Sequence, residues 1–462
     1  MASDTPPSSS NELPVAVIGG GAAGLAAAYR LARAGRQIRL FEVSGRLGGS
    51  VASAREEGYL IEAGPNSFQE NSKEIAALVS ELGLGDERIE ANPAARNRYI
   101  VRGGKLHPVP LSPPGLLKTE LFSGKAKLRL LAEVFTRPKR RTSDASMAEF
   151  VGDHFGTEIV DYALNPFISG IYAGDPAKLS ARCAFPTLWQ CEADHGSLIR
   201  GQIAHARKRR AEGHPRTKII SFRQGLQSLT DALARSLPVG TIELNARIHS
   251  LFPGSPWRVV WSRAGTTQTE EFERVILAVP APALSELTFG ALAERPLAAL
   301  GAVEYPPVTS LFLGFRASQV SHPLDGFGAL VPAVERLKFL GVLFSSSLFP
   351  GRAPEGHVAL TVMVGGAHQP ELALRQPGEI VGAILPELRS LLGVKGEPTF
   401  QRHHTWPKAI PQYQLGHERH LDLIESTEKA HPGLLIGGNV RDGISLPNSL
   451  QSGLRMAARA LA

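Results

Sequence analysis

The sequence predicts an α/β protein assembled around a dinucleotide-binding strand–turn–helix–strand unit. Three observations carry that expectation. The apolar run Val15-Ala16-Val17-Ile18 leads straight into Gly19-Gly20-Gly21-Ala22-Ala23-Gly24, the pattern of a strand that enters a tight turn and opens a helix. Glu42 closes a second strand over Ile38, Arg39, Leu40 and Phe41, at the spacing of roughly 20 residues that places a carboxylate on ribose hydroxyls. Near the other end of the chain, Leu434-Leu435-Ile436 reads as a further strand, Gly437-Gly438 as a close backbone approach, and residues 449–461 as a helix whose N-terminus could face the same ligand.

Within the first unit each residue has a physical task. Gly19 can take the backbone angles of the turn, Gly21 keeps no side chain between the main chain and a pyrophosphate, and Gly24 lets the helix press on the strand. Residues 25–34 are rich in Ala, Leu and Arg, and Gly35 supplies a stop. The pyrophosphate then lies at the helix N-terminus, where free N–H groups and the dipole favour negative charge. An acid in place of a cation at the ribose disfavours a 2′-phosphate, and hence NADP. Arg46-Leu47-Gly48-Gly49 follows at once and gives a second close approach beside the nucleotide, which separates FAD from NAD.

The remaining segments follow in order. Residues 51–61 read as a hairpin with Gly58 near its turn, and Gly64-Pro65 fixes a second turn that presents Asn66. Residues 72–82 form an amphipathic helix ended by Gly83 and Gly85, and Gly103-Gly104 joins two strands of which the first carries Asn97-Arg98-Tyr99-Ile100. Residues 110–214 are mostly helical with proline breaks, and strand patterns return over 247–251, 257–261 and 274–279, the last running into Pro280-Ala281-Pro282. Length allows two or three domains. The two cysteines, Cys183 and Cys191, lack the number and spacing of a disulfide framework, which indicates a reducing compartment. Residues 1–12 read as a disordered tail without the apolar core of a secretory signal, and no apolar run has the length of a membrane span.

A net charge of +7 is concentrated in Lys118, Lys125, Lys127, Arg129, Arg137, Lys139, Arg140 and Arg141, and in Arg207-Lys208-Arg209-Arg210. Leu116, Leu117, Leu121, Phe122, Leu128, Leu130, Leu131 and Phe135 interleave with or precede the first cluster, a mixture suited to an anionic membrane surface. A solvated helical face is the competing reading. Nucleic acid is not expected as a partner, because no reading motif accompanies the charge. His403-His404 would point to opposite faces of a strand, which disfavours a metal site.

The Glu42-x-x-x-Arg46-x-Gly48-Gly49 pattern resembles the FAD-binding amine oxidase superfamily. Within it the chain is similar to the oxygen-dependent protoporphyrinogen oxidases. The resemblance is carried by Gly64-Pro65-Asn66-Ser67-Phe68, Asn97-Arg98-Tyr99, Gly170-Ile171-Tyr172-Ala173-Gly174-Asp175-Pro176, Leu179-Ser180, Phe185-Pro186, Gly326-Phe327-Gly328-Ala329-Leu330-Val331-Pro332, Val364-Gly365-Gly366, Ile410-Pro411-Gln412-Tyr413 and Gly437-Gly438-Asn439, nearly the whole length of the chain. Many relatives have a cysteine where this chain has Leu446-Pro447-Asn448-Ser449. The fold implied is a doubly wound FAD-binding domain of the p-hydroxybenzoate hydroxylase type (residues 13–92, 220–290 and 411–462). A mainly helical membrane-associating domain would span residues 93–219, and a sheet-based substrate domain residues 291–410.

The chemistry implied is hydride removal from a meso carbon of protoporphyrinogen to flavin N5, with reoxidation by dioxygen to hydrogen peroxide. Because aromatisation is a six-electron process the cofactor must cycle three times, and no side chain is needed as a catalytic acid or base. The implied cofactor contacts, with FAD held non-covalently, are Gly19, Gly20, Gly21, Ala22, Ala23, Gly24, Glu42, Val43, Arg46, Gly48, Gly49 and Ser50. Gly64, Pro65, Asn66, Ser67, Ile248, Asn439, Ile444, Ser445 and Leu446 complete them. Arg98 would pair with a substrate propionate, its alternative being a surface arginine. Gly170 would accept a pyrrole N–H through its carbonyl, and Phe327, Leu330, Leu343, Phe344, Met363 and Ile410 would wall an apolar slot. Without the resemblance, Phe344 and Met363 read as core residues and Gly170 as a loop glycine.

The partners expected are the porphyrinogen, dioxygen, a membrane touched peripherally, a second copy in a homodimer and a chelatase receiving product. The location expected is cytoplasmic, on the inner face of a bacterial membrane, or on an organellar membrane in a eukaryote. Coproporphyrinogen oxidation, another amine-oxidase-like activity and a catalytically idle flavin or membrane-binding protein are the competing functions.

Overall fold

The computed structural model describes residues 12–137, 141–213 and 217–462. The tail up to residue 11, Lys139 and Arg140 of the basic stretch, and His214 lie outside the described residues. At the centre is a five-stranded parallel sheet of β1 (Val15–Ile18), β2 (Ile38–Glu42), β3 (Ile242–Leu244), β4 (Arg274–Leu277) and β5 (Leu434–Ile436), in the order β3-β2-β1-β4-β5. Strands far apart in sequence therefore meet side by side. Every residue of β1 is buried, as a strand covered on both faces requires. Val15 and Val17 pack on helix α1 (Ala22–Arg33), helix Gln227–Arg235 and the C-terminal helix α2 (Leu446–Leu461). Ala16 and Ile18 point the other way, as the period of two demands.

A doubly wound sheet carries helices on both faces, and here the second face differs. It is covered mainly by an antiparallel four-stranded sheet, whose Trp257, Val259, Trp261 and Phe272 pack with Phe41 and β4, supplemented by helices Ala281–Glu286 and Glu418–Ala430. Aromatic bulk fills this layer, with Phe41 tilted onto Trp261 at 5.2 Å.

A second, seven-stranded sheet has the order Phe400–Trp406, Val308–Arg316, His357–Gly365, Gly341–Leu343, Gly326–Leu330, Asn97–Arg102, Lys105–Pro108. All neighbours are antiparallel except Gly326–Leu330 with Asn97–Arg102. Residues 97–108, expected with the helical part, thus belong to this sheet, because their partner strand lies more than two hundred residues downstream. Helix Pro377–Leu392 lays Ile380, Ile384, Leu385 and Leu388 over Leu311, Val342 and Val362 on one face. The other face looks toward the central sheet and the helical part.

That helical part packs Phe150, Ile168 and Leu198 around Ile100. Within it, Glu133 accepts from Ser197 Oγ and Leu198 N at 2.7 and 2.6 Å, and both ring nitrogens of His154 lie against carboxylates, Glu133 at 2.8 Å and Glu192 at 3.1 Å. Elsewhere, buried Glu62 accepts from Arg352 Nη1 at 2.8 Å, Ser53 Oγ at 2.6 Å and Leu226 N at 3.0 Å, tying the Ser53–Glu62 hairpin to the loop that leads into strand His357–Gly365 of the second sheet. Among the described residues no helix is long and apolar enough to cross a membrane.

Candidate functional site

The turn between β1 and α1 shows why its glycines differ. A Cβ on Gly24 would lie 1.8 Å from Gly19 O, and one on Gly19, at φ +109°, would lie 2.5 Å from Ala278 O. Both are demanded by the protein itself. A Cβ on Gly21 would meet nothing nearer than Gly49 Cα at 4.0 Å. The space in front of Gly21 is therefore free of protein. Helix α1 begins there with no side-chain cap and no acid in its first turn, although Ala22, Ala23 and Gly24 are buried. A buried helix start whose N–H groups have no capping acceptor is a site for an anion.

Glu42 closes β2 beside this turn, where its carboxylate accepts from Gly20 N at 2.7 Å and Ser44 N at 2.8 Å. Gly48 N donates to Gly20 O at 2.8 Å, so the Arg46-Leu47-Gly48-Gly49 loop lies against the glycine turn as its second close approach. Arg46 folds onto its own loop, donating to Leu47 O, Gly49 O and Val51 O. Val43 is exposed at the rim. Ile248 is brought near by Ala246 N and Asn245 N, which donate to the carbonyls of Glu42 and Ser44.

A Cβ on Gly64 would lie 2.0 Å from Ser50 O, so the Gly64-Pro65-Asn66-Ser67 turn is pressed against the same loop. Asn66 Nδ2 donates to Gly64 O at 3.1 Å and shares a small cavity with Leu343 and Thr361 of the second sheet. Trp406 Nε1 donates to Ala63 O at 2.8 Å from that sheet's edge strand.

The C-terminal contribution is a loop between β5 and α2. Gly438 N donates to Ser452 Oγ at 2.8 Å, and Ser445 caps α2 by accepting from Asn448 N. Asn439 and Ile444 are half-buried along the loop, and Leu446 is buried at the helix start. Two residues unassigned by the sequence reading hold this loop in place. Tyr413 OH donates to Asn439 O and accepts from Gly443 N at 2.9 Å. His417 stacks on Tyr413 at 4.3 Å and 17° and contacts Val440 O through Nε2 at 3.0 Å. Burial pushes the His417 imidazole down to about 4, so neutral His417 donates to that carbonyl. Tyr413 falls within the recognised Ile410-Pro411-Gln412-Tyr413 segment, but neither residue of the pair lies in a helix, so no periodicity marked the stack.

On the second sheet, register brings the expected wall residues together. Gly328 pairs with both Arg98 and Leu343, Leu330 with Ile100 and Gly341, and Gly341 with Met363, so Arg98, Leu330, Leu343 and Met363 share one face. Gly170 touches Leu330, where an added Cβ would come within 2.5 Å of Leu330 Cδ2. Helix Asn165–Tyr172, which carries Gly170, follows a π-helical turn over Val160–Leu164 and is pinned by Asn165 Oδ1 accepting from Ala333 N at 2.7 Å. The π turn accommodates Pro166, which has no N–H for a regular helix. Ile410 is half-buried against the helical core beside Tyr413.

Phe344, expected in the wall, is instead fully buried with Tyr99 and His322 on the helix-covered face. It follows Leu343 directly, and strand neighbours point to opposite faces. Arg98 is exposed, with its guanidinium 5.5 Å over the Phe327 ring and no carboxylate partner among the described residues. Arg102 and Arg402, by contrast, are paired with Glu158 and Glu56. His403 and His404 alternate on the edge strand as expected. Among the described residues the one grouping with metal-ligand atoms is Asp144, Cys183 and Glu418, where Asp144 already accepts from Ser180 Oγ, Ala145 N and Arg182 N.

Residues 22–461 match the family described as flavin containing amine oxidoreductase. The mitochondrial protoporphyrinogen oxidase of Nicotiana tabacum is 35% identical, over 96% of this chain and 94% of that protein. The coproporphyrinogen III oxidase of Bacillus subtilis (strain 168) is 28% identical, over 97% of each. A crystal structure from Exiguobacterium sp. 255-15 has a TM-score of 0.81 at 25% identity, covering 97% of this chain and 98% of that one.

Proposed function

The chain belongs to the flavin-containing amine oxidoreductases, and on that premise we propose that it oxidises protoporphyrinogen IX to protoporphyrin IX with FAD and dioxygen. The observation that carries the reading is the meeting of two features: an open, uncapped cradle at Gly21, and an apolar sheet face that ends in the unpaired cation Arg98. The residues fit FAD. Glu42 has lone pairs left for the adenosine ribose, the α1 N-terminus would take the pyrophosphate, and the Gly64–Ser67 turn with the Gly438–Ser445 loop would hold the isoalloxazine. FAD is held without a covalent bond, since both cysteines lie outside the loop between β5 and α2. When bound, it accepts the hydrogens of the macrocycle and passes them to dioxygen as hydrogen peroxide.

The chain's own residues bind, orient and shield. Leu330, Leu343, Met363, Phe327 and Ile410 enclose a flat apolar body and exclude water, the Gly170 carbonyl takes a pyrrole N–H, and Arg98 fixes one propionate bidentately. The chain is more similar to the protoporphyrinogen oxidase of Nicotiana tabacum than to the coproporphyrinogen III oxidase of Bacillus subtilis, which favours protoporphyrinogen over coproporphyrinogen as the substrate. The flavin part comprises residues 13–92, 220–290 and 411–462, the substrate sheet 97–108 with 291–410, and residues 109–219 a membrane-associating part.

Replacing Arg98 tests the reading. Arg98→Ala should keep its flavin, raise KM and lose kcat/KM by at most a few kcal/mol, and Arg98→Lys should recover only part, because an ammonium lacks the planar fork. Unchanged KM in Arg98→Ala would remove Arg98 from the substrate site.

A further inference from the structure

We propose that Asp325 is the positioning residue that sets Arg98 for carboxylate binding, an inference that rests on the reading of Arg98 above. Gly326 pairs with Asn97 and Gly328 with Arg98, which leaves Phe327 as an extra residue between them. This bulge turns the Phe327 ring onto the Arg98 side of the sheet, under the guanidinium at 5.5 Å. The bulge is built in. A Cβ on Gly326 would lie 2.6 Å from Asn97 O, and one on Gly328, at φ +151°, would lie 2.2 Å from Val342 O.

Asp325 immediately precedes the bulge and accepts from both neighbours of Arg98: Tyr99 OH at 2.6 Å on Oδ1, and Asn97 Nδ2 at 2.9 Å on Oδ2. Asn97 Nδ2 also lies 3.2 Å from Tyr99 OH, which closes the triangle. Burial and the Asp325 hydrogen bond push the Tyr99 phenol up to about 12, so it stays a donor at any working pH. Along a strand Asn97 and Tyr99 project away from the face that Arg98 occupies, and Tyr99 lies edge-on to His322 at 5.3 Å. Asp325 therefore cannot touch a ligand held by Arg98. It acts by locking the register of Asn97–Arg102 against the bulge, which fixes where the guanidinium stands. A guanidinium so placed loses less freedom on binding a carboxylate than one on a sliding strand.

The test compares equilibrium binding of protoporphyrin and its dimethyl ester to the flavin-loaded protein, read by porphyrin fluorescence. The free acid should bind wild type more tightly than the ester, and Arg98→Ala should abolish that preference. Asp325→Asn, which puts an amide where two donors converge, should lower the preference by roughly threefold to tenfold while leaving ester binding and flavin content unchanged. Added to Arg98→Ala, it should change nothing further, since both act through one group. Tyr99→Phe removes one bond and keeps the ring, so it should lower the preference partway, and it serves in place of Asp325→Asn if that variant does not fold. A full acid preference in Asp325→Asn or Tyr99→Phe, or an equal loss on acid and ester, would overturn the role of Asp325. A full preference in Arg98→Ala would instead overturn the carboxylate reading itself.

Discussion

The sharpest contrast at the scale of single residues is between Gly21 and Gly24. Gly24→Ala drives a methyl into the Gly19 carbonyl at 1.8 Å, whereas Gly21→Ala, at an ordinary φ of −77°, places one in open space. Gly24→Ala should therefore lower Tm in the flavin-free protein. Gly21→Ala should leave that Tm unchanged and weaken flavin binding, measured by fluorescence titration; a destabilised Gly21→Ala with normal flavin affinity would contradict the cradle. Glu42→Ala should reduce flavin affinity by roughly one to two decades, since hydrogen bonds to a charged group are worth about 1.5–3 kcal/mol and Gly20 N would also lose its acceptor. These residues were legible because the turn, the helix start and the acid are local, and spacing alone relates them. The partners of Glu42 within the protein were not, because backbone donors leave no mark in a sequence.

Elements show what periodicity can and cannot convey. The strand carrying Asn97-Arg98-Tyr99-Ile100 was readable, and with it the sharing of a face by residues two apart, whereas the strand Gly341–Leu343 was not. Phe344 was assigned to the wrong side because a family-wide list of wall residues ignores that alternation. Phe327 reaches the Arg98 face only through a bulge, which depends on the pairing of strands remote in sequence. The Tyr413–His417 stack likewise joins helix Glu418–Ala430 to a loop it meets only in the fold. It makes a pH prediction. The His417 pKa is depressed to about 4 in the folded state against an ordinary 6.5, so below pH 6.5 the unfolded chain takes up a proton that the folded chain refuses. Stability should fall as pH drops from about 6.5 toward about 4, by on the order of 1.4 kcal/mol per pH unit from this group. Urea unfolding across that range should show a smaller slope in His417→Asn than in wild type, the remainder coming in part from His322, His404 and His420, whose imidazoles burial also pushes down; identical slopes would refute the assignment.

For the whole molecule, the central sheet draws strands from both ends and the middle of the chain, an assembly that the resemblance implied and local pattern could not. The sheet layer over its second face was invisible for the same reason. On the helical part, Leu117, Leu128, Leu131 and Phe135 are exposed beside Lys118, Lys125 and Arg137, while Leu121 and Phe122 are core. The exposed set fits an anionic bilayer surface touched from one side. Vesicles with anionic lipid should co-sediment the protein at low salt and release part of it as ionic strength rises, since surface charges are screened beyond about 8 Å at physiological salt. No co-sedimentation at low salt would reduce the patch to a solvated face. A flavin cradle and an apolar sheet face bearing Arg98 would together make a porphyrinogen oxidase, and turnover tests that combination most directly. Under air, the yellow protein should convert protoporphyrinogen IX to fluorescent protoporphyrin IX, with a higher kcat/KM than for coproporphyrinogen III and hydrogen peroxide as co-product. A folded, flavin-loaded protein that forms no porphyrin from either substrate would contradict the account.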